Sequence, residues 1–411
     1  MNKYKYVIIG GGIAGTTAAE NIREKDSGGT IAIIGDEKYP LYSRVLLPNV
    51  LKNRIDAEKV FLRSEEDYLS KKIDTFFETE VEKVDFDEKV LVFKNGDNIS
   101  YEKLLITSGG RVRRFDIAGV DPSEVLHFQS FDDTKVLKEK ILQSKKAVII
   151  GNSFISLELA EAFHLNNIEV SMLIRGNSFW KGIMDDVSSE MIRKNIEEKG
   201  ISLFFDEEAE RAEVGEEKKI LISKTNKEYE FDILGVGVGI ERNIEFLENS
   251  GIEIKKGIVA NEYLETNIED VFTAGDVAEF YDVITDKYQM YGNWPAAFLQ
   301  GKIAGLNMTG EKTVCRHISG YNIVSFGLNV SFVGDVMSGA DKDTIVIKRG
   351  NIENNEYSQL FIKNNKLVGA TQLNMNKEKG FIVMLIDKEV DLSKNIEDLK
   401  DSSFDLKSLI S

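Results

Sequence analysis

Three glycines at positions 10, 12 and 15 follow the apolar run Tyr6-Val7-Ile8-Ile9 and precede a stretch of helical character. Such a G-x-G-x-x-G turn does its chemistry with the backbone. Gly10 permits a sharp bend, Gly12 lets the main chain approach a pyrophosphate, and Gly15 lets helix and strand pack closely. Ile13 and Ala14 then stand at the helix start, where unpaired N–H groups and the positive end of the dipole favour an anion. A second strand, residues 30–34, leads to Asp36 and Glu37. Acidic side chains about twenty positions beyond the glycines accept hydrogen bonds from ribose hydroxyls. Strand, turn, helix, strand and acid together predict a dinucleotide cradle, a far more specific signal than the glycines alone.

The same plan is written a second time with changes. Ala147-Val148-Ile149-Ile150 runs into Gly151-Asn152-Ser153-Phe154-Ile155-Ser156, and the pattern predicts a helix over 154–166 and a strand over 169–174. Ser153 and Ser156 occupy positions where the pattern wants glycine. A side chain at Ser153 sits where the backbone comes closest to a pyrophosphate, so the ligand must shift or accept a hydroxyl hydrogen bond instead. The change at Ser156 is milder. Two further stretches bring backbone close to a ligand: Leu104-Leu105-Ile106-Thr107-Ser108-Gly109, and the glycine-rich run 231–239, which contains Gly237. The strand-like Asp270-Val271-Phe272-Thr273-Ala274-Gly275 ends at Asp276, whose carboxylate could bind a ligand hydroxyl or cap a helix.

These residues need elements and domains to position them. The chain has 411 residues, 42% of them hydrophobic and 29% charged, which is too long for one core and predicts two or three globular domains. The formal net charge of -17 argues against nucleic acid or an anionic membrane as partner. No apolar stretch approaches the roughly twenty residues of a membrane span, and Met1-Asn2-Lys3-Tyr4 leads straight into the first strand, so a cytoplasmic protein is expected. The single cysteine, Cys315, rules out a C-x-x-C pair and an internal disulfide, and is expected to be an inert thiol. His127, His164 and His317 are widely separated, so neither a metal site nor a Ser-His-Asp hydrolase is expected.

Between the two cradles, Tyr39 to Pro48 forms an ordered loop that sets Arg44 in apolar company; residues 59–69 suggest a helix, and 75–93 alternating strands that end in a turn at Asn95-Gly96. The basic run Arg111, Arg113 and Arg114 suggests a docking patch for an acidic carrier or the solvated entry to the next domain. After Gly310 short alternating strands predict a small antiparallel sheet with a flanking helix.

Taken in order, residues 10–15, Tyr42-Ser43-Arg44-Val45-Leu46-Leu47, the stretch 101–109, Gly235-Val236-Gly237 and Ala274-Gly275-Asp276-Val277-Ala278-Glu279-Phe280 resemble the FAD-dependent pyridine nucleotide oxidoreductases. The resemblance spans nearly the whole chain and is strongest to rubredoxin reductases and to the N-terminal flavoprotein part of nitrite reductase large subunits. It implies an α/β fold with two Rossmann-like nucleotide-binding domains, the FAD domain being interrupted by the NAD(P)H domain, plus a small C-terminal α+β domain. The expected bounds are 1–113 and 244–312 for FAD, 114–243 for NAD(P)H and 313–411 for the last domain. FAD would lie with its pyrophosphate over Gly10, Gly12, Ile13, Ala14 and Gly15 and its adenosine ribose at Asp36 and Glu37. Arg44 would run along the pyrophosphate, Val81, Ser108 and Gly109 would line the cofactor, and Asp276 would hold the ribityl chain.

In that family the second cradle delivers hydride from NAD(P)H to the flavin, which places the nucleotide at Gly151, Asn152, Ser153, Phe154, Ile155 and Gly237 and makes Glu158 the glutamate beside the nicotinamide. Arg175 and Lys181 resemble the basic pair with which NADPH-using glutathione reductases clasp the 2′-phosphate; one or two charge-assisted bonds of roughly 1.5–3 kcal/mol would favour NADPH by about tenfold or more. Trp294 matches the aromatic that related ferredoxin reductases place near the flavin. Arg44 replaces the lysine that oxygenase-type ferredoxin reductases carry after the serine of this loop, which weakens the expectation of their charge pairing at the flavin. With no cysteine at the flavin, electrons would leave singly to rubredoxin, ferredoxin or a partner redox subunit. Two alternatives stay open: an NAD(P)H oxidase or a quinone or dye reductase, and a flavin-holding subunit whose nicotinamide site has decayed. The family often dimerises, so a homodimer is expected, with no interface legible in the sequence.

Overall fold

The computed structural model describes residues 2–216 and 218–410. The chain divides into two compact units, one formed by Met1–Val45, Ala57–Arg111 and Ile240–His317, the other by Leu46–Asp56, Val112–Gly239 and Ile318–Ser411.

The first unit is built on a sheet of β1 (Asn2–Ile9), β2 (Ile31–Ile34), β3 (Ile73–Phe76), β4 (Val81–Asp85), β5 (Val90–Phe93) and β6 (Asn98–Ile106), in the order β3-β2-β1-β6-β5-β4. β1 to β3 and β6 run parallel, while β4 and β5 return as an antiparallel hairpin on β6. The strand Val271–Thr273 pairs in parallel with the end of β6, Leu104 to Ile106. Val7 and Ile8 are fully buried on opposite faces of β1, which is why that strand shows no polar alternation. The chain leaves β1 for β2 on one side and finds β6 on the other, so the crevice at the carboxyl end of β1 lies at a topological switch point, the place where open α/β sheets bind ligands.

Helix α1 (Ile13–Lys25) leaves that crevice and packs on the helix Trp294–Met308 through small residues. A Cβ added at Gly301 would lie 2.2 Å from the Ala14 carbonyl oxygen, and one at Gly305 2.6 Å from that of Ala18, so glycine sets the distance of approach. The helix expected over 59–69 is instead a short turn, Ala57–Val60, and a separate helix, Glu65–Ser70. Two forces break it. Ser64 and Asp67 form a reciprocal capping box that starts a new helix, and the main chain around Phe61 is drawn back to the Arg44 loop by bonds from Ser43 N to Val60 O and from Leu62 N to Leu41 O.

The second unit contains an all-parallel sheet in the order Ser202–Phe205, Glu169–Ile174, Lys146–Ile150, Ile233–Val236, Val125–Leu126, with the helix Phe154–Leu165 following its central strand. A second switch point falls at the carboxyl end of Lys146–Ile150. The same unit carries a three-stranded antiparallel sheet and a five-stranded antiparallel sheet, the latter in the order Gly320–Ser325, Leu328–Gly334, Lys366–Leu373, Glu356–Lys363, Ile345–Asn351, flanked by the helix Lys379–Asp387. Among the described residues, no helix is long and apolar enough to cross a membrane.

Candidate functional site: two nucleotide cradles

In the first unit the glycine turn has the geometry its sequence demands. Gly10 has φ +107°, and a Cβ there would lie 2.1 Å from the Thr107 carbonyl oxygen, so no other residue fits. Thr107 locks the bend by donating its hydroxyl to the carbonyls of Ile9 and Gly10 at 2.8 and 3.1 Å. A Cβ at Gly15 would meet the Gly10 carbonyl oxygen at 2.0 Å, whereas one at Gly12 would meet nothing within 4 Å. The space in front of Gly12 is therefore open. No side chain caps α1 and no acidic residue stands in its first turn, which leaves the helix start suited to a pyrophosphate.

Around this turn the expected residues are distributed as follows. Asp36 is exposed just past β2. Glu37 pairs with Arg44 through one oxygen and accepts from Tyr42 Oη at 2.6 Å through the other, while the Arg44 guanidinium lies 5.1 Å from the Tyr42 ring centre. Each carboxylate oxygen keeps a second lone pair, so a ribose hydroxyl can still be accepted. Val81 opens β4 opposite Phe93. Ser108 is turned to Asn243, its hydroxyl donating to that carbonyl at 2.7 Å and its own carbonyl accepting from Asn243 Nδ2 at 2.9 Å, and Gly109 follows with φ +63°.

Asp276 lies in the short turn Gly275–Val277, which leads to the strand Ala278–Asp282, so it caps no helix. Burial pushes its carboxyl above the ordinary range, and the positive charges of Arg242 and Arg44 pull it back. Arg242 donates Nε to the Asp276 carbonyl at 3.0 Å, and Gln300 accepts from Gly275 N at 2.8 Å through Oε1. The buried Gln300 Nε2 has no hydrogen-bond partner among the described residues. A buried amide donor and a carboxylate with raised pKa beside an open glycine turn fit a ligand rich in hydroxyl and carbonyl oxygens, as FAD is. Trp294 begins its helix behind an Asn293 cap that accepts from Ala296 N at 3.1 Å, and its ring is partly exposed.

The second cradle shows what the two serines do. Ser153 caps the helix Phe154–Leu165, accepting from Ser156 N at 3.2 Å, and its hydroxyl lies 3.1 Å from that of Ser156, which in turn donates to the Gly237 carbonyl at 3.2 Å. The pair satisfies itself and ties the turn to the neighbouring strand. It also engages one of the N–H groups that an unaltered turn would offer an anion. Gly151, at φ +111°, keeps the sharp bend, since a Cβ there would lie 2.5 Å from the Gly237 carbonyl oxygen. Asn152 is partly buried and Ile155 exposed, while the Phe154 ring packs on Trp180 at 4.8 Å. Arg175 and Lys181 are exposed.

Glu158 faces a cation that sequence reasoning missed. Lys52, whose side chain is 2% exposed, bridges Glu158 and Glu161, and Arg54 reaches the other oxygen of Glu161 at 3.1 Å. Burial raises the Glu158 carboxyl, Lys52 opposes the rise, and Glu161 adds to it. Within its own unit Glu158 thus has a cation partner, Lys52, that is distinct from Arg44. Thr107, Arg242 and Gln300 were also missed; only Thr107, beside a strand end in a small-residue run, carried a signal. Of the basic run, Arg111 is already paired with Glu245 and lies 3.7 Å from Glu241. Cys315 is buried, and burial pushes its thiol up to about 12, so it is inert.

The sequence pattern described as "Pyridine nucleotide-disulphide oxidoreductase" matches residues 4–301. The chain is 27% identical over 399 residues to the NADH-rubredoxin oxidoreductase of Clostridium acetobutylicum, covering 97% of this chain and 92% of that protein. It is 26% identical over 398 residues to the ferredoxin--NAD(+) reductase component of the 3-phenylpropionate/cinnamic acid dioxygenase of Photorhabdus laumondii, covering 97% and 100%. The nitrite reductase [NAD(P)H] of Bacillus subtilis is 27% identical over 96% of this chain, which spans 48% of that protein. Among solved structures, the putidaredoxin reductase of a covalent complex with putidaredoxin superposes with TM-score 0.91 at 20% identity, over 100% of this chain and 99% of that one. A match through both cradles, from β1 to the middle of the helix that begins at Trp294, joins the geometry to a lineage, and the chain belongs to the pyridine nucleotide-disulphide oxidoreductase family.

Proposed function

We propose that this protein is a flavoprotein oxidoreductase that takes hydride from NAD(P)H onto FAD and passes the electrons to a small redox protein such as rubredoxin or ferredoxin, or to a partner redox subunit. The observation that carries the reading is the pairing of one fully formed glycine turn with a second, serine-tied one in the same chain. FAD, when bound, accepts two electrons as hydride and releases them one at a time. The chain supplies the rest. Gly10, Gly12, Ile13, Ala14 and Gly15 hold the pyrophosphate, Asp36 and Glu37 the adenosine ribose, Arg44 the phosphates, Val81, Ser108 and Gly109 the flanks, and Asp276 the ribityl hydroxyls. Gln300 orients Gly275 beneath them, and Trp294 is the aromatic offered to the flavin. In the second cradle Gly151, Asn152, Ser153, Phe154, Ile155 and Gly237 hold the nucleotide, Glu158 fixed by Lys52 stands for the nicotinamide, and Arg175 and Lys181 select the 2′-phosphate. The support for NADPH over NADH is that two cations, Arg175 just past the strand Glu169–Ile174 and Lys181 six residues on, are both exposed; the carboxylate that feels Arg175 is Glu208.

For domains we propose 1–113 and 244–312 for FAD, 114–243 for NAD(P)H and 313–411 for a C-terminal α+β domain. The proposed compartment is the cytoplasm, where nicotinamide donors are abundant, and a homodimer is proposed by likeness to the family. Stopped-flow reduction of the yellow protein tests the core of the reading. Rapid bleaching by NADPH, slower by NADH, is expected, and turnover should require added rubredoxin or ferredoxin. Turnover with oxygen alone at the same rate would make it an oxidase, and a flavin that stays oxidised with either nucleotide would make it a flavin-holding subunit.

A further inference from the structure

Residues 175–185 join the strand Glu169–Ile174 to the helix Asp186–Glu197 and carry both Arg175 and Lys181. Connecting loops with exposed cations are ordinarily mobile. This one is fastened at several points. Asn152 Nδ2 donates to the Ser178 carbonyl at 3.3 Å, joining the loop to the second glycine turn, and Phe179 N donates to Ser189 Oγ at 2.8 Å.

Trp180 has φ +45°, a conformation a bulky L residue holds only when its surroundings impose it. The surroundings are aromatic. Its ring lies 4.8 Å from Phe154 and 5.8 Å from Phe332, and Phe154 in turn meets Tyr321 at 5.7 Å. Tyr321 and Phe332 are register partners on adjacent strands of the five-stranded antiparallel sheet, their rings stacked at 5.1 Å.

At the far end of the loop, Asp185 divides its two oxygens between two tasks. Oδ1 caps the next helix, accepting from Ser188 N at 3.0 Å and Ser188 Oγ at 2.6 Å. Oδ2 is held by the same antiparallel sheet, accepting from Tyr357 Oη at 2.7 Å and pairing with Lys348 Nζ at 2.8 Å, while Asp185 N donates to Gln359 Oε1 at 3.2 Å. Burial alone would raise this carboxyl, but Lys348, Ser188 and Tyr357 hold it down at about 2, so the clamp stays charged throughout the neutral range.

We propose that the C-terminal sheet braces the nucleotide-selecting loop, with Trp180 and Asp185 as positioning residues that hold Arg175 and Lys181 in place, so that preference for a phosphorylated dinucleotide depends on Tyr357 and Lys348. This rests on the reading of Arg175 and Lys181 given above. It assigns a task to a domain whose sequence carries no motif.

The chain has two tryptophans, so Trp294→Phe leaves Trp180 as the sole reporter of the loop. In that background of the FAD-loaded protein, Asp185→Asn keeps the helix cap and removes the charge, and Tyr357→Phe removes one hydrogen bond. Each is expected to move Trp180 emission to longer wavelength. In the otherwise unchanged protein each should raise half-saturating NADPH in anaerobic flavin reduction by roughly three- to tenfold, move that for NADH less, and leave the limiting rate alone. Lys363→Gln, on the same sheet, which cuts pairs to Asp341 and Asp343 in the loop before Ile345–Asn351, should do none of this. Unchanged emission and half-saturation, equal effects of Lys363→Gln, or shifted emission with unaltered nucleotide dependence would each overturn the brace. A flavin in the unsubstituted protein that neither nucleotide reduces refutes the functional reading instead, and Trp180 emission then decides alone whether the clamp exists.

Discussion

Lys52 is almost completely buried against two carboxylates, and Arg54 shares one of them, Glu161. Removing one partner of a buried ion pair leaves uncompensated charge, a loss of about 3–5 kcal/mol. Lys52→Met is therefore expected to lower the urea midpoint strongly at neutral pH. The sign with pH follows from the carboxyls. In the unsubstituted protein Glu158 already titrates above its unfolded value because of burial, and Lys52 is the largest influence opposing that rise. Without Lys52 the folded value climbs further, so protonation on acidification stabilises the variant more than the parent, and the difference should shrink as pH falls from neutral. A difference that grew on acidification would refute this account. Glu158 could be named from the sequence because the family resemblance puts a glutamate in the helix after the second glycine turn. Its cation could not, since Lys52 lies 106 residues earlier and no local pattern joins the two.

At the level of the glycine turns, two substitutions should part company. Gly12→Ala meets nothing within 4 Å and sits at φ -70°, so it should leave the stability of the apoprotein within about 1 kcal/mol while weakening FAD binding, because the methyl occupies the space for the pyrophosphate. Gly15→Ala drives a methyl to 2.0 Å from the Gly10 carbonyl oxygen and should destabilise the apoprotein by about 1–3 kcal/mol as well. Thermal unfolding with and without FAD checks both. In the second turn, Ser153→Gly returns the Ser156 N–H to a ligand; because glycine is itself a tolerable cap, stability should change by only a few tenths of a kcal/mol, and half-saturating NADPH should fall. In the first cradle glycine is dictated by φ and contact distance at Gly10 and by contact distance at Gly15, while Gly12 faces open space, so its three positions could be read directly. The serine network could not, because it closes on Gly237, which only the pairing of Lys146–Ile150 with Ile233–Val236 brings alongside. The helix expected over 59–69 failed for a related reason, as its apolar residues serve strand-like contacts with Leu41 and Ser43.

Over the whole molecule the charge of -17 governs encounters. A carrier of like sign should be reduced faster as ionic strength rises and one of opposite sign more slowly, since salt screens both repulsion and steering. Measuring acceptor reduction across a salt series distinguishes the two, and an acidic carrier slowed by salt would point to a local basic patch. That patch would lack much of Arg111, whose charge is already met by Glu245. The chain also changes unit after Val45, Asp56, Arg111, Gly239 and His317. During synthesis, β6 emerges long before Val271–Thr273, and Ile106 waits 167 residues for the hydroxyl of Thr273 that bonds its carbonyl. A nascent polypeptide released before that point carries every glycine of both turns and still lacks the strand Val271–Thr273 and the helix Trp294–Met308 that complete the first unit, so flavin retention is expected only in chains that extend past them.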